Sequence, residues 1–155
     1  MRKYLLAVAV VATASCASMG SSPSGPSPFA PQAMNAVEPW PYPFSSAVRV
    51  GNLLFLSGQI GSEMVNGAPR LVAGGIEPET RQAMENIKAV LAKGNSSFDR
   101  VIKCSVMMAD MAEWPRMNDI YATYFPGAKP ARSAWGATGL ALGARVEIEC
   151  LAMVK

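Results

Sequence analysis

The chain has 155 residues, of which half are hydrophobic, and a formal net charge of +3 at pH 7. This length suits a single domain, and the absence of histidine excludes Ser-His-Asp and Cys-His catalytic relays. Zinc and non-haem iron sites usually need histidine or clustered cysteine, whereas the three cysteines here are far apart in the sequence. We therefore expect neither a metal nor another cofactor.

Residues 1–16 have the pattern of an export leader. Arg2 and Lys3 precede an uncharged run over residues 4–14, which is too short to cross a bilayer as a helix. Cys16 follows Thr13-Ala14-Ser15, which is similar to a bacterial lipobox, in which the cysteine is lipidated. The leader predicts a membrane-anchored lipoprotein of the cell envelope or periplasm. A soluble periplasmic or secreted protein and an uncleaved leader are the alternatives.

Serine, glycine, proline and alanine dominate residues 17–40, a composition typical of a flexible tether. The globular domain is predicted over residues 41–155. Loss of Arg2 and Lys3 with the leader lowers the net charge from +3 to +1. Because that charge is too small to attract phosphate backbones, we expect no nucleic-acid partner, and membrane contact only through the lipid anchor.

Within the globular domain, Gly51-Asn52 predicts a hairpin over residues 46–59, and another short strand is expected near residues 70–73. A helix is predicted over 79–93, a strand over 100–108 and a second helix over 115–124. Two further strands carry Arg132 and Glu147 and are predicted to be neighbours, joined by the Gly- and Ala-rich stretch 139–144.

The last strand is apolar on both faces. One face carries Val146, Ile148, Cys150 and Ala152. On the other face, Leu151 and Met153 follow Glu147 and Glu149. Two helices cover only one face of such a sheet, and the other face, which we expect to include Val101 and Met107, is too apolar to remain solvated. We therefore predict an α+β sandwich with both helices on one face and another subunit on the second.

Arg132 and Glu147 are the main candidates for chemistry. A guanidinium held on a strand is a fixed fork for a carboxylate, and a nearby glutamate can orient a water molecule or carry a proton. The structural alternative is an ion pair between them. Cys104 and Cys150 are expected to be buried free thiols, with a disulfide as the alternative.

Several stretches in this order resemble the RidA/YjgF family of reactive-intermediate deaminases. They are residues 47–60 (AVRVGNLLFLSGQI), 82–91 (QAMENIKAVL), 101–106 (VIKCSV), 117–125 (MNDIYATYF), 130–133 (PARS) and 146–149 (VEIE). The resemblance implies a chorismate-mutase-like fold with a mixed sheet. It also implies a homotrimer with a central barrel and active sites in the clefts between subunits.

The implied reaction is the hydrolysis of 2-imino acids or their enamine tautomers, such as 2-aminoacrylate, to 2-oxo acids and ammonia. Arg132 matches the residue that binds the substrate carboxylate, and Glu147 matches the acid that positions water or relays a proton. Three further residues match positions that line the cleft: Ser57, Gly58 and Asn118. Two positions depart from the family pattern: Phe44 stands where many members have tyrosine, and Ala134 stands where well-studied members have cysteine. The alternative is a non-catalytic relative that binds small carboxylates in the cell envelope.

Overall fold

The computed structural model describes residue 27 and residues 29–35 and 42–155. The predicted leader, with Cys16, and most of the predicted tether lie outside these residues. In chain order the strands and helices are β1 (Gln32–Met34), β2 (Ala47–Val50), β3 (Leu53–Leu56), β4 (Gln59–Ile60), β5 (Ser62–Val65), β6 (Ala68–Leu71), α1 (Ile76–Lys93), β7 (Val101–Met108), α2 (Trp114–Thr123), β8 (Ala131–Gly136) and β9 (Val146–Met153).

The main sheet has the strand order β1-β2-β3-β9-β7-β8, and β4 also pairs with β9. β7 and β8 are parallel, while the other pairs are antiparallel. The mixed α+β architecture is as predicted, but the prediction that β8 and β9 are neighbours is wrong. A parallel pair needs a crossover, and α2 supplies it between β7 and β8, so β7 lies between β8 and β9.

The first helix begins at Ile76, three residues before the predicted start, because Pro78 is tolerated in a first helical turn. Gly75 precedes it with φ 82°, and Gly94 follows its last residue. One stripe of the helix is buried against the sheet. Together with α2 it closes a core that includes Leu54, Met84, Ile87, Val106 and Ile148. Both helices therefore cover one face, as the sequence predicts.

The second face of the sheet is apolar and open in the isolated chain. Phe55, Trp135 and Met153 are 46%, 45% and 38% exposed. The register places Phe55 opposite Leu151, which is itself half-buried. Such a face is typical of one that another subunit covers.

Val101 does not belong to this second face, as the sequence had suggested. The β7–β9 register shifts between Val101 and Lys103. An irregularity of one residue reverses the side-chain alternation. Val101 therefore turns into the core, and the next residue, Ile102, is 41% exposed.

Two further predictions need correction. Gln32–Met34 lies within the predicted tether, yet it pairs antiparallel with β2. The sequence also indicated one strand near residues 70–73, whereas β5 and β6 form a hairpin. Its turn is Asn66-Gly67, with φ of 51° and 77°, and Asn-Gly is a strong hairpin signal.

Cys104 and Cys150 form a disulfide, so the expectation of two free thiols is wrong. They lie directly opposite each other in the antiparallel β7–β9 pair. Their Cα atoms are 4.1 Å apart and both side chains are buried. Alternation along each strand placed both cysteines on the core face, but only the register shows that they face each other.

The disulfide is expected to stabilise the fold by about 2–4 kcal/mol, since it closes a loop with a sequence separation of 46. Urea unfolding of the wild type with and without reductant measures this contribution. The double variant Cys104→Ala/Cys150→Ala is the control and should not respond to reductant. Thiol titration of the unfolded, unreduced Cys16→Ala chain should find no thiol; finding two would contradict the disulfide.

Candidate active site

Glu147 lies on β9 between β4 and β7, opposite Ile60 on one side and Met107 on the other. Its neighbour Ile148 is fully buried in the core, so Glu147 points to the second face of the sheet. It lines a cavity of about 660 Å³. Phe44 and Gly58, both predicted site residues, line the same cavity.

Charged side chains hold Arg145, the residue that precedes β9. The backbone N–H of Arg145 donates to Oε2 of the buried Glu79 over 2.8 Å. The Arg145 Nε donates to Glu113 over 2.5 Å, and this partner raises the pKa of Arg145. Because both contacts lie two residues before Glu147, they hold the strand that presents its carboxylate.

Gly58 packs directly on that carboxylate. A Cβ atom at this position would lie 2.0 Å from Glu147 Oε1 and 2.8 Å from its Cδ. A side chain at this position would displace the Glu147 carboxylate, so glycine lets the backbone approach Glu147 closely with its carboxylate in this position. The match of Gly58 to a cleft-lining position thus has a steric reason in this chain.

Burial raises the pKa of Glu147 above its ordinary value, and the negative charge of Glu149 raises it further. Burial penalises the charged form of a carboxyl group, which therefore retains its proton to higher pH. A carboxyl group with such a shift suits proton transfer near neutral pH better than an unperturbed one.

Ser57 serves a different role from the one expected. Its Oγ donates to the carbonyl of Ser45 over 2.7 Å, and its N–H donates to that of Ser46 over 3.0 Å. It is not among the residues that line the cavity. Instead it fastens the segment that carries Phe44, whose ring stacks on Tyr42 with centroids 5.4 Å apart.

Arg132 lies elsewhere. On β8 it is opposite Cys104, whose side chain is buried on the helix-covered face. Its Nη1 donates to Asn118 Oδ1 over 2.7 Å. Its Cζ lies 5.1 Å from the ring centroid of Trp114 and 4.8 Å from that of Tyr121. Two aromatic rings and one amide therefore fix the orientation of the guanidinium.

The roles of Trp114 and Tyr121 were missed from the sequence. Trp114, Asn118 and Tyr121 are spaced i, i+4, i+7 on α2, which places them on one helical face. That spacing was a usable signal. Burial raises the pKa of Tyr121 to about 12, so its hydroxyl stays protonated, and this buried hydroxyl has no partner within the described part of the chain.

Ala134 is two residues beyond Arg132 and opposite Val106, so it shares the Arg132 face and packs on the core. The predicted site residues thus form two groups. The glutamate group comprises Phe44, Gly58 and Glu147, and the arginine group comprises Asn118, Arg132 and Ala134.

The two groups lie on opposite faces of the sheet. Arg132 shares the face of Cys104, whereas Glu147 shares the face of Met107, three residues further along the same strand β7. The ion pairs among the described residues do not include Arg132 or Glu147. The alternative interpretation as an Arg132–Glu147 ion pair within one chain is therefore wrong.

Within residues 29–35 and 42–155, no group of three or more His, Cys, Asp or Glu side chains is placed to hold a metal ion. Over the same residues no helix is long and apolar enough to cross a membrane.

A comparison with protein-family models identifies the class. Residues 33–154 match the model described as "Endoribonuclease L-PSP". The chain therefore belongs to this family, which is the RidA/YjgF family that the sequence motifs resemble.

Individual relatives agree with this assignment. A 2-iminobutanoate/2-iminopropanoate deaminase from Mus musculus is 40% identical over 111 residues, which is 72% of this chain and 81% of that protein. The crystal structure of YyfA from Yersinia pestis, a protein of unknown function of the conserved Rid family, superposes with a TM-score of 0.73. It is 34% identical and covers 81% of this chain and 100% of its own.

A third relative, Escherichia coli TdcF, was crystallised with bound serine. It superposes with a TM-score of 0.67 at 25% identity, covering 79% of this chain and 94% of its own. The shared architecture confirms the predicted α+β class.

The pKa of Glu147 can be measured by NMR titration of its carboxyl carbon in the Arg132→Ala variant, where that guanidinium contributes nothing. We expect a midpoint above the ordinary value of 4.5. Adding Glu149→Gln should lower the midpoint without returning it to 4.5, because burial is the larger cause. A midpoint at or below 4.5 in the first variant would contradict the buried environment described for Glu147.

Proposed function

We propose that this chain is a metal-independent hydrolase that converts 2-imino acids and their enamine tautomers, such as 2-aminoacrylate, to 2-oxo acids and ammonia. The observation that best supports this proposal is a pair of functional groups: an oriented guanidinium on one face of the sheet and a glutamate with a raised pKa on the other. The name of the mouse relative, a 2-iminobutanoate/2-iminopropanoate deaminase, supports the same reaction.

Arg132 is proposed to bind the carboxylate of the substrate. Asn118 holds one nitrogen of its guanidinium at 2.7 Å, and Trp114 and Tyr121 hold its plane. Since the fork is already oriented, little side-chain freedom is lost when a carboxylate binds. The carboxylate contact thereby holds the imine carbon in position for attack by water, which replaces a random encounter in solution. The serine bound to the relative TdcF is a small carboxylate of comparable size.

Glu147 is proposed to activate the attacking water and to transfer protons. It accepts a proton from water as the oxygen bonds to the imine carbon, and it passes that proton to the imine nitrogen. Glu147 then accepts the hydroxyl proton of this intermediate and passes it to the same nitrogen, so that the C–N bond breaks, a C=O bond forms and ammonia leaves. Glu147 ends in its starting protonation state, so one water is consumed and no other reactant is needed.

The site is proposed to form between subunits of a homotrimer. Because Arg132 and Glu147 lie on opposite faces of one sheet, they meet only if the arginine group of one subunit approaches the glutamate group of another. The exposed apolar face with Phe55, Trp135 and Met153 supports association on the Glu147 side. Among the residues that the structure describes, those lining the cavity beside Glu147 include Glu63 and Glu147 and no cation. An anionic substrate therefore needs a guanidinium from outside the cavity.

Phe44 and Ala134 lack the hydroxyl and thiol expected at their positions. The mechanism proposed here needs neither group, since Arg132 binds the carboxylate and Glu147 transfers the proton. Phe44 supplies an apolar ring to the cavity instead. These two positions therefore bear on the choice of substrate.

We also propose that the protein is exported and anchored through Cys16, with residues 17 onward as a tether. The basic and apolar leader and the cysteine at its end support this location. The Cys104–Cys150 disulfide supports it independently, because disulfides persist in oxidising compartments such as the periplasm.

The proposed function predicts that Arg132→Ala lowers imine hydrolysis at least about 100-fold, since the variant loses the positioned carboxylate contact. An L-amino-acid oxidase generates the imine in situ, and semicarbazide captures whatever imine escapes the protein. Arg116→Ala is the matched control, because Arg116 is an exposed arginine paired with Glu77, and it should hydrolyse as the wild type does.

Equal hydrolysis by the Arg132→Ala and Arg116→Ala variants would remove Arg132 from the mechanism. Failure of the wild type to hydrolyse any imine, with 2-oxo acids still bound, would favour the non-catalytic binding protein.

A further inference from the structure

In the isolated chain, the cavity beside Glu147 is larger than a three- or four-carbon substrate requires. Its volume is about 660 Å³, which lies in the range of pockets that enclose drug-sized ligands. Large apolar side chains dominate its wall, and the most exposed of them are Phe44 at 49%, Met64 at 50% and Leu142 at 58%. We call these three residues the apolar wall.

The apolar wall is held in position by its surroundings. Phe44 stacks on Tyr42, whose hydroxyl lies 4.0 Å from the Met64 sulfur. Such a contact with a thioether is weak, but it joins the segment of Tyr42 and Phe44 to the strand that carries Met64, and both line the cavity. The aromatic stack and the methionine therefore act as one surface.

The β5 strand that carries Met64 is fastened to α1. Asn86 Nδ2 donates to the carbonyls of Ile60 and Ser62 over 3.1 and 2.9 Å. Gln82 Nε2 donates in turn to Asn86 Oδ1 over 2.9 Å. These two amides line the cavity but direct hydrogen bonds to the protein itself, so the cavity offers a bound ligand mainly apolar contact.

Leu142 lies in the left-handed region, with φ 57°. This conformation is unfavourable for a branched side chain and is normally left to glycine or asparagine. A non-glycine residue held there is a recognised mark of functional constraint. Here the constraint places an apolar side chain at the mouth of a cavity that also contains Glu147.

We infer that the apolar wall binds the side chain of the substrate, so that the chain prefers 2-imino acids with large apolar side chains over three- and four-carbon ones. Imines derived from leucine, methionine or phenylalanine are the class that fits. The inference rests on the proposed function, because it uses Glu147 as the group that contacts the reacting imine.

The expected preference can be scaled from burial of hydrocarbon. Each buried methylene favours binding about fourfold. The leucine-derived imine has three more carbons than the alanine-derived imine, so its kcat/KM should be at least about tenfold higher. Imines of alanine, 2-aminobutyrate, leucine, methionine and phenylalanine are generated by oxidase and compared on the full chain through competition with semicarbazide.

Met64→Gln tests the wall itself, since it keeps the length of the side chain but makes its end polar. It should lower the leucine-to-alanine ratio of kcat/KM at least about threefold. Leu142→Asn should do the same, with a residue that tolerates the positive φ. Met111→Gln is the matched control, because Met111 is 40% exposed and is not among the residues that line the cavity; it should keep the wild-type ratio.

A second measurement separates this inference from the proposed function. Calorimetry gives the affinities of pyruvate, 4-methyl-2-oxopentanoate and phenylpyruvate, which do not need to react. Tighter binding of the larger acids, reduced in Met64→Gln, would support the apolar wall even if no imine were hydrolysed. Affinities and kcat/KM values that do not depend on side-chain size would overturn the inference. That is the result expected if another copy of the chain covers the apolar wall. Imine hydrolysis itself would still be judged by its own assay.

Discussion

The pairing of β7 with β9 is the constraint on which the rest of the structure depends. β7 lies next to the edge of the main sheet, with β8 parallel on its outer side and β9 antiparallel on its inner side. Cys104 faces Arg132 across one pair and Cys150 across the other, while Met107 faces Glu147. Because side chains alternate with a period of two, this register assigns Arg132 to the helix-covered face and Glu147 to the open one.

A single protomer thus prepares two half-sites that it does not bring together. On the helix-covered face, α2 contributes a row of residues that fix the guanidinium before any ligand arrives. On the open face, burial and the negative charge of Glu149 give Glu147 its raised pKa. In the proposed function, the catalytic geometry therefore depends on how two subunits dock rather than on a loop closing within one chain.

Local pattern predicted what depends on neighbours in the sequence. The alternation in β9, the hairpin at Gly51-Asn52 and the helix that ends before Gly94 follow from periodicity and turn chemistry. Which strands are adjacent does not, and the crossover through α2 separated two strands that the sequence seemed to join. Likewise the irregularity near Lys103 turned Val101 inward, and the disulfide required a register that no single strand reveals.

In the candidate site too, the sequence predicted some features and not others. The strand pattern and the resemblance both indicated Arg132 and Glu147, and the resemblance added Gly58. The roles of Trp114 and Tyr121 were missed, although their spacing on α2 was a signal. The separation of the two groups onto opposite faces required the sheet order.

The central claim is that each active site takes its arginine from one subunit and its glutamate from another. Arg132→Ala and Glu147→Gln chains, each inactive alone, are co-expressed with different affinity tags, and oligomers that carry both tags are purified. In a closed ring of three identical interfaces, every mixed trimer has one intact site, so the mixture should recover about a third of the wild-type hydrolysis of imines. Mixed trimers as inactive as their parents would contradict a shared site.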